Sequence, residues 1–284
     1  MTTVSGAGNG SGGDRPMTAG VRGRTPTLFT GPRWRFVRVL ERNLTVMRRM
    51  WTIILSGFFE PVFYLFSIGV GIGALVGKVT VDGRSVSYSA FVAPALLAAS
   101  AMNGAIYEST MNIFYKLKEA NVYDGMLATP LVPGDIAVGE IVFSLMRGAI
   151  YAGGFLLVML AMGLIHSWWG LLLLPSSVLI GFAFAATGMA FTCYIRSWQD
   201  LDLVQLVVLP LFLFSATFYP LSTYSPAMQA VVQVTPLFRG VDLLRGLSFG
   251  TVGASTLIDV LYLAVMAVAG LAITSRRLHR LLLP

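Results

Sequence analysis

Charged side chains that interrupt apolar stretches are the residues of this sequence whose types and spacing indicate chemistry. Glu140 and Arg147 lie seven residues apart in one long apolar run, which is about two helical turns and places both on one helix face. A charge at the bilayer centre costs about 2.5 to 3.5 kcal/mol on insertion scales. We therefore interpret Arg147 either as the partner of a carboxylate, Glu60 or Glu108, or as a pathway residue. Glu140 is expected at the membrane interface, and Glu60 and Glu108 at helix ends.

A second group of charges lies in the proline-rich apolar sequence nearer the C-terminus. Arg239, Asp242 and Arg245 follow Pro236 at helical spacing, and Asp259 interrupts the last apolar run. We interpret them as a gate, while a plain solvated loop stays open as the alternative for the first three. The candidate gate or pathway residues are Glu60, Glu108, Glu140, Arg147, Arg239, Asp242 and Arg245.

Other kinds of chemistry have little support in the sequence. Cys193 is the only cysteine, and His166 and His279 are far apart, so neither a disulfide nor a metal site is predicted. No HExxH, GxSxG or clustered carboxylate motif lies in the apolar runs, and no catalytic residue is assigned. The nearest approach to a phosphate loop, residues 73–78, has the wrong glycine spacing, and Val79 stands where Ser or Thr is required. This chain is therefore expected to bind no cofactor, and its energy must come from a partner or an ion gradient.

The amino-acid composition indicates that most of this chain lies in lipid and not in water. Of its 284 residues 56% are apolar and only 12% charged, with a mean hydropathy of +0.75, whereas soluble domains carry about 25% charged residues. The net charge of +7 resides in residues 1–49, which hold nine arginines against Asp14 and Glu41. A basic segment ahead of a first span attracts anionic lipids and marks a cytoplasmic face. The rest of the chain is charge-balanced, so no nucleic-acid partner is predicted.

Apolar periodicity predicts an all-α polytopic membrane protein. Residues 1–32 read as a disordered cytoplasmic tail and residues 33–51 as an amphipathic helix at the membrane interface. Residues 52–284 read as one domain of six transmembrane helices, with a polar loop at 78–87. Three prolines interrupt residues 219–250, which we interpret as two short re-entrant helices. The six predicted spans are about 52–76, 88–107, 136–165, 170–195, 203–218 and 254–274.

The distribution of basic residues predicts the orientation. With the N-terminus inside, the inner flanks carry twelve cations, among them Lys116, Lys118 and Arg196, and the outer loops carry four. Cytoplasmic loops are enriched in Lys and Arg. Both termini are therefore expected in the cytoplasm, in a multi-pass protein of the inner (plasma) membrane.

Two stretches and the order of the elements resemble the ABC type-2 exporter permeases over residues 33–280. The first stretch is YESTMNIFYKLKEANVYDGMLATPLVPGDIAVGE, residues 107–140, and the second is FSATFYPLSTYSPAMQAVVQVTPLFRGVDLLRG, residues 214–246. Both are similar to the branch of nodulation lipo-oligosaccharide exporters and daunorubicin-resistance permeases, in which P-L-x-x-x-V-D-L-x-R follows a proline-rich turn.

The resemblance implies partners and a coupling segment, residues about 112–129, that contacts a separate ATPase carrying ATP and Mg²⁺. Contact with a soluble partner favours an amphipathic segment with aromatic or Met anchors. Three residues are therefore expected as anchors in the ATPase and four charged residues as the rim around them, while an ordinary solvated loop stays open as the alternative. The resemblance also implies re-entrant helices at about 219–250 and a second permease chain, a homodimer being favoured over a heterodimer. The expected anchors are Tyr123, Met126 and Leu127, and the rim residues are Lys116, Lys118, Glu119 and Asp124.

The sequence thus predicts the permease subunit of an ATP-driven exporter. The absence of an obvious aqueous channel favours an amphipathic or hydrophobic cargo, either a drug or metabolite or a glycolipid or oligosaccharide. The alternative is a proton-coupled secondary transporter with a carboxylate relay. That class is built from inverted repeats, and none is evident in this sequence.

Overall fold

The computed structural model describes residues 35–49, 59, 62–81, 83–120 and 122–282. The predicted tail and part of the first predicted span, residues 52–58 with Glu60 and Pro61, lie outside these ranges. Within them, the regular secondary structure is helical apart from one two-stranded hairpin.

Ten α-helices are named here in chain order, and π-helical turns extend two of them. A π-helix over Leu65–Ile72 leads into α2, and two π-helical turns, Glu108–Asn112 and Tyr115–Glu119, continue α3. The α-helices are α1 Phe36–Arg49, α2 Gly73–Val76, α3 Tyr88–Tyr107, α4 Val122–Leu127, α5 Pro133–Ala161, α6 Leu173–Thr192, α7 Asp202–Phe214, α8 Pro226–Val234, α9 Pro236–Phe249 and α10 Ala254–Leu282.

Four helical stretches of the described chain are long and apolar enough to cross a membrane: Tyr88–Lys118, Gly134–Ala161, Trp168–Thr192 and Ala254–Arg277. The apolar helix Val62–Val76 and α7, with 13 residues, are shorter. The all-α polytopic fold is thereby confirmed, and six spans stay a prediction.

Helix α3 lies at the centre of the bundle. Its alanines Ala93, Ala95 and Ala98 are fully buried against the helices around it, which include α5, α6 and α9. Small side chains let helix backbones approach closely, and such packing drives helix association where lipid removes the usual hydrophobic gain. A displacement of α3 therefore reaches several neighbours at once.

The hairpin end of the bundle is where β1, β2 and the C-terminus of α9 meet. Strand β1, Lys78–Val81, pairs antiparallel with β2, Arg84–Ser87. The Arg84 Nη1 donates to the Phe249 carbonyl at 3.2 Å, and the His166 N–H donates to the Ser248 carbonyl at 3.2 Å. These bonds tie three connecting segments together. The sequence reading of residues 78–87 as a plain loop missed the hairpin.

Helices α8 and α9 account for the proline-rich segment before the last helix. Each begins with a proline, Pro226 and Pro236, where a missing N–H costs nothing. The Thr235 hydroxyl accepts a hydrogen bond from the Phe238 N–H at 3.4 Å and caps α9. The two short helices are as the prolines predict, and their depth in the membrane stays a prediction.

The coupling end lies opposite and is formed by α1, the coupling segment and the turn after α6. Arg35 Nη1 donates to the Pro130 carbonyl at 2.9 Å, and the Phe114 and Trp198 rings meet edge to face at 5.0 Å. Helix α1 packs closely on α5 at Gly139, where an added Cβ would lie only 2.6 Å from the Val39 Cβ. Part of the face that we expected on the lipid surface is therefore covered by protein.

Candidate functional site

A buried ion pair joins the end of α3 to the middle of α5. Arg147 Nη1 lies 2.5 Å from Glu108 Oε2, and its Nε donates to the Tyr151 hydroxyl at 3.0 Å. The Asn112 amide also donates to Glu108. The Glu108 side chain is 2% exposed and that of Arg147 17%. Of the two carboxylates considered for Arg147, the structure places Glu108 beside it, while Glu60 is outside the described residues.

A second buried pair lies closer to the coupling end, eight residues after Glu108 along the extension of α3. Lys116 Nζ is 2.7 Å from Glu140 Oε2, and the Asn43 amide donates to the same oxygen at 3.0 Å. All three side chains are buried. We expected Lys116 on the exposed rim of the coupling segment, and that expectation is wrong, because the Glu140 carboxylate draws the ammonium group inward. The pair links α1, α5 and the coupling segment.

The coupling segment turns its expected anchors inward. Tyr123 is 1% and Met126 8% exposed, in a cluster that includes Val39 and Ile136. Burial, followed by the negative charge of Glu140, raises the pKa of Tyr123 well above its usual value, so its phenol is neutral. The expectation that these two side chains lie on the surface is therefore wrong, because they supply the segment's own small core. Leu127 is half-buried.

The exposed part of the coupling segment is a polar tip. Lys118, Asp124, Gly125 and Thr129 are solvent-exposed, as are Tyr115, Ala120 and Ala128. These are the described residues of this segment that a partner could touch. Lys118 and Asp124 thus keep their expected position on the rim, and the side chain of Glu119 lies outside the described part. Among the predicted coupling residues, the structure brings Lys116, Tyr123 and Met126 inside and leaves Lys118 and Asp124 outside.

A cavity of about 620 Å³ opens between α3, α5 and α7. Its polar wall includes Arg147 and its hydrogen-bonding partner Tyr151, and the amides of Asn103 and Gln205. The Asn103 Oδ1 is buried without a hydrogen-bond partner among the described residues. Tyr64 and several aliphatic side chains complete the wall. Because Glu108 already compensates the charge of Arg147, the cavity suits a molecule with uncharged polar groups and an apolar part.

The predicted gate residues Arg239 and Arg245 both lie on α9 but contact different neighbours. Arg239 Nη1 lies 3.2 Å from Asp259 Oδ1 on α10, with its guanidinium over the Tyr262 ring. Arg245 faces α3 instead, and its Nη2 donates to the Ala216 carbonyl at 3.0 Å. Arg245 is only 8% exposed, so a solvated-loop role does not fit it. Asp242 is half-buried.

The hydrogen bond from Arg245 supports an unusual backbone. Ala216 has a φ of 54°, in the left-handed region that a residue with a side chain seldom adopts. The guanidinium carbon of Arg245 also lies 3.9 Å from the centre of the Phe91 ring. Arg245 therefore holds the turn after α7 against α3. In the described part of the chain, no group of His, Cys, Asp and Glu is arranged to hold a metal ion.

Comparison with known proteins identifies the family of this chain. The ABC-2 type transporter family matches residues 35–249, which include both buried ion pairs and the whole cavity wall. The chain belongs to the ABC-2 type transporter family. It is therefore a membrane transport subunit rather than an ATPase, as the sequence predicted, and a multi-pass protein.

Curated relatives agree with this assignment over most of their length. Nodulation protein J of Rhizobium leguminosarum bv. viciae is 33% identical over 233 residues, covering 80% of this chain and 88% of that protein. Nodulation protein J of Rhizobium meliloti (strain 1021) is 29% identical over 255 residues, 88% of this chain and 95% of that protein. The inner membrane transport permease YadH of Escherichia coli (strain K12) is 24% identical over 212 residues, 73% and 80% of the two chains. The resemblance to the nodulation branch of ABC-2 transporters is confirmed.

Sequence reasoning missed four residues of the site. Asn103, Tyr151 and Gln205 carried no charge and no motif to single them out. Asn43 did carry a signal, because it lies four residues before Met47 and thus on the apolar face of α1. A polar side chain on such a face needs a buried partner, and Glu140 is that partner.

Proposed function

We propose that this chain is the permease subunit of an ATP-driven exporter whose ATPase subunits are separate polypeptides that bind the coupling segment. The observation that carries this proposal is the continuous helix Tyr88–Lys118. One part of it lines the cavity through Asn103 and Tyr107, and its end enters the coupling segment. A displacement at the coupling segment is therefore passed along one helix to the cavity wall.

The proposed orientation places the coupling end and both termini in the cytoplasm and the hairpin end outside the inner membrane. The count of basic residues supports this orientation. The ATPase then meets the polar tip, Lys118 and Asp124. Tyr123 and Met126 act from within, because their burial makes the segment rigid enough to transmit movement.

A second copy of this chain is proposed to close the open side of the cavity. Gln205 is exposed on α7 and Tyr107 is 56% exposed on α3, and both fall within the predicted spans 203–218 and 88–107. Lipid tails offer these polar groups no hydrogen-bond partner. Because a facing α7 of the same sequence would offer the same amide and apolar groups, a homodimer supplies the missing wall.

Cross-linking tests the position of this second copy. In a Cys193→Ser background, which removes the only cysteine, Gln205→Cys should yield a dimer with a short bis-maleimide. Leu257→Cys is a matched control, since Leu257 is 70% exposed on α10, away from the cavity. Dimers from Leu257→Cys and none from Gln205→Cys, on denaturing gels, would place the interface on the wrong side.

The proposed cargo is an amphipathic molecule. The cavity combines amides and aromatic rings with a guanidinium that is already paired, which suits hydroxyl-bearing head groups attached to an apolar part. Similarity to nodulation exporters favours a glycolipid or an oligosaccharide, and drug or metabolite efflux is the second cargo class.

Reconstitution tests the proposed function. Inside-out vesicles that contain the chain and its ATPase should accumulate a fluorescent acylated oligosaccharide only with ATP, and vanadate should stop the uptake. A hydrophobic fluorescent dye, assayed in parallel, separates the two cargo classes. Uptake of either probe that an imposed proton gradient drives without ATP would contradict the proposal. Glu108 and Glu140 each form an ion pair with a basic side chain. This pairing explains why the two carboxylates are buried without assigning them to a proton relay.

A further inference from the structure

The two buried ion pairs connect the same two helical stretches at unequal spacings. Helix α3 and its extension run antiparallel to α5, so Glu108 pairs with Arg147 and Lys116 with Glu140, at 2.5 and 2.7 Å. The two partners on α5 are seven residues apart, whereas Glu108 and Lys116 are eight residues apart. One stretch therefore carries one residue more than the other between its two contacts.

Regular α-helices would not accommodate this difference. Seven residues of an α-helix return to within about 20° of the same face. Eight residues overshoot the face by about 80°, since each residue turns about 100°. If the stretch after Tyr107 were a plain α-helix, Glu108 and Lys116 would not both face α5.

A π-helical turn absorbs the extra residue. Residues Glu108–Asn112 form such a turn, which begins at the first ion-paired residue and ends before the second. A π-helical turn closes hydrogen bonds five residues apart and inserts one residue into an α-helix. The second π-helical turn shows this bond directly, because the Ala120 N–H donates to the Tyr115 carbonyl at 3.0 Å. With one residue inserted, eight positions cover the angle of seven.

The neighbouring helix is shaped to hold the π-helical turn. Ser109 lies against Gly188 of α6, where a Cβ would come within 2.3 Å of the serine hydroxyl. The Thr192 hydroxyl of α6 donates to the Ser109 carbonyl at 2.9 Å, and the Thr110 hydroxyl donates to the Ile106 carbonyl at 2.6 Å. These donors satisfy carbonyls within and beside the turn, so the inserted residue is built into the packing of α6.

We propose that the turn Glu108–Asn112 is a register joint, which aligns both ion pairs with α5 and lets the coupling segment rotate relative to the cavity wall. Conversion between π and α geometry turns everything after it by about 100° and shifts it by about 1.5 Å. Such a rotation moves Lys116 off the face that meets Glu140 and breaks that ion pair, while Glu108, at the start of the turn, stays beside Arg147. The alignment stands on geometry alone, whereas the rotation during transport rests on the proposed exporter function.

Two single-residue deletions test the alignment. Deleting Met111, inside the turn, leaves the paired positions Glu108 and Lys116 seven residues apart, so a plain α-helix keeps both pairs. The deleted chain should purify as a folded protein with a Tm within about 5 °C of the intact chain. Deleting Leu145, half-buried and between Glu140 and Arg147 in the regular helix α5, is the control, since this helix has no inserted residue to give up. It should abolish folding. Equal failure or equal tolerance of the two deletions would overturn the proposal.

A distance measurement tests the rotation separately. Spin labels at Lys118→Cys and Leu257→Cys, in the Cys193→Ser chain bound to its ATPase, should report a distance that changes when vanadate traps the nucleotide. The chain without Met111 should show no change and lose ATP-driven uptake. An unaltered distance change after the deletion would overturn the joint and leave the exporter function intact. Absence of ATP-driven uptake by the intact chain would instead refute the exporter function and leave the deletion result standing.

Discussion

Glu140→Ala should lower the free energy of unfolding by about 3 to 5 kcal/mol, because it leaves the Lys116 ammonium buried without its counter-ion. The pair is 2.7 Å long, and its two side chains are 11% and 1% exposed. The same substitution should disconnect α1, since Asn43 also donates to this carboxylate. Thermal unfolding in detergent, followed by binding of the ATPase subunit, measures both effects.

A surface ion pair of the same chain is the matched control for Glu140. Arg38 and Glu41 lie 3.0 Å apart with side chains 55% and 56% exposed. Exposed pairs contribute about 0 to 1 kcal/mol, so Glu41→Ala should change stability little. The double variant Lys116→Met with Glu140→Ala should recover much of the loss, as no charge is then left buried. Equal effects of the two single glutamate substitutions would show that the pair is not buried in the protein.

Arg147→Ala should reduce stability by a similar amount, about 3 to 5 kcal/mol, and should reduce ATP-driven uptake at least tenfold. It leaves Glu108, 2% exposed, without a cation, and it removes a side chain from the cavity wall. Arg147→Lys should be intermediate, because one ammonium cannot reproduce the bonds to both Glu108 and Tyr151. Unfolding and uptake by the same purified complex are the measurements.

Tyr151→Phe separates the two roles of Arg147. It removes one hydrogen bond, worth about 1 kcal/mol, and leaves the ion pair in place. Stability should therefore stay close to that of the intact chain. If Arg147→Ala left both assembly and uptake unchanged, the ion pair would have no part in the transport cycle.

Much of the architecture could be predicted because composition and proline positions decide it locally. Apolar runs predicted the helices, and Pro226 and Pro236 predicted two short helices where one span would otherwise have been drawn. The hairpin was missed although its sequence carried a signal. Val79 and Val81 alternate with polar residues ahead of Asp82-Gly83, a dipeptide typical of tight turns.

The candidate site was less predictable because its contacts join distant parts of the chain. The sequence predicted Tyr123 and Met126 as anchors in a partner protein, and it could not show that they pack instead against this chain's own α1 and α5. The pairing of Lys116 with Glu140 depends on the register of two helices, which a π-helical turn alters. No residue pattern in the sequence indicated that turn.

Membrane sidedness of the coupling segment is the claim on which the exporter function depends, and labelling of whole cells tests it most directly. In the Cys193→Ser background, the exposed positions Lys118→Cys and Lys78→Cys probe the coupling end and the hairpin end. A membrane-impermeant maleimide should label Lys78→Cys in intact cells, and Lys118→Cys only after permeabilisation. Labelling of Lys118→Cys in intact cells, with Lys78→Cys protected, would place the coupling segment outside and contradict its contact with an ATPase.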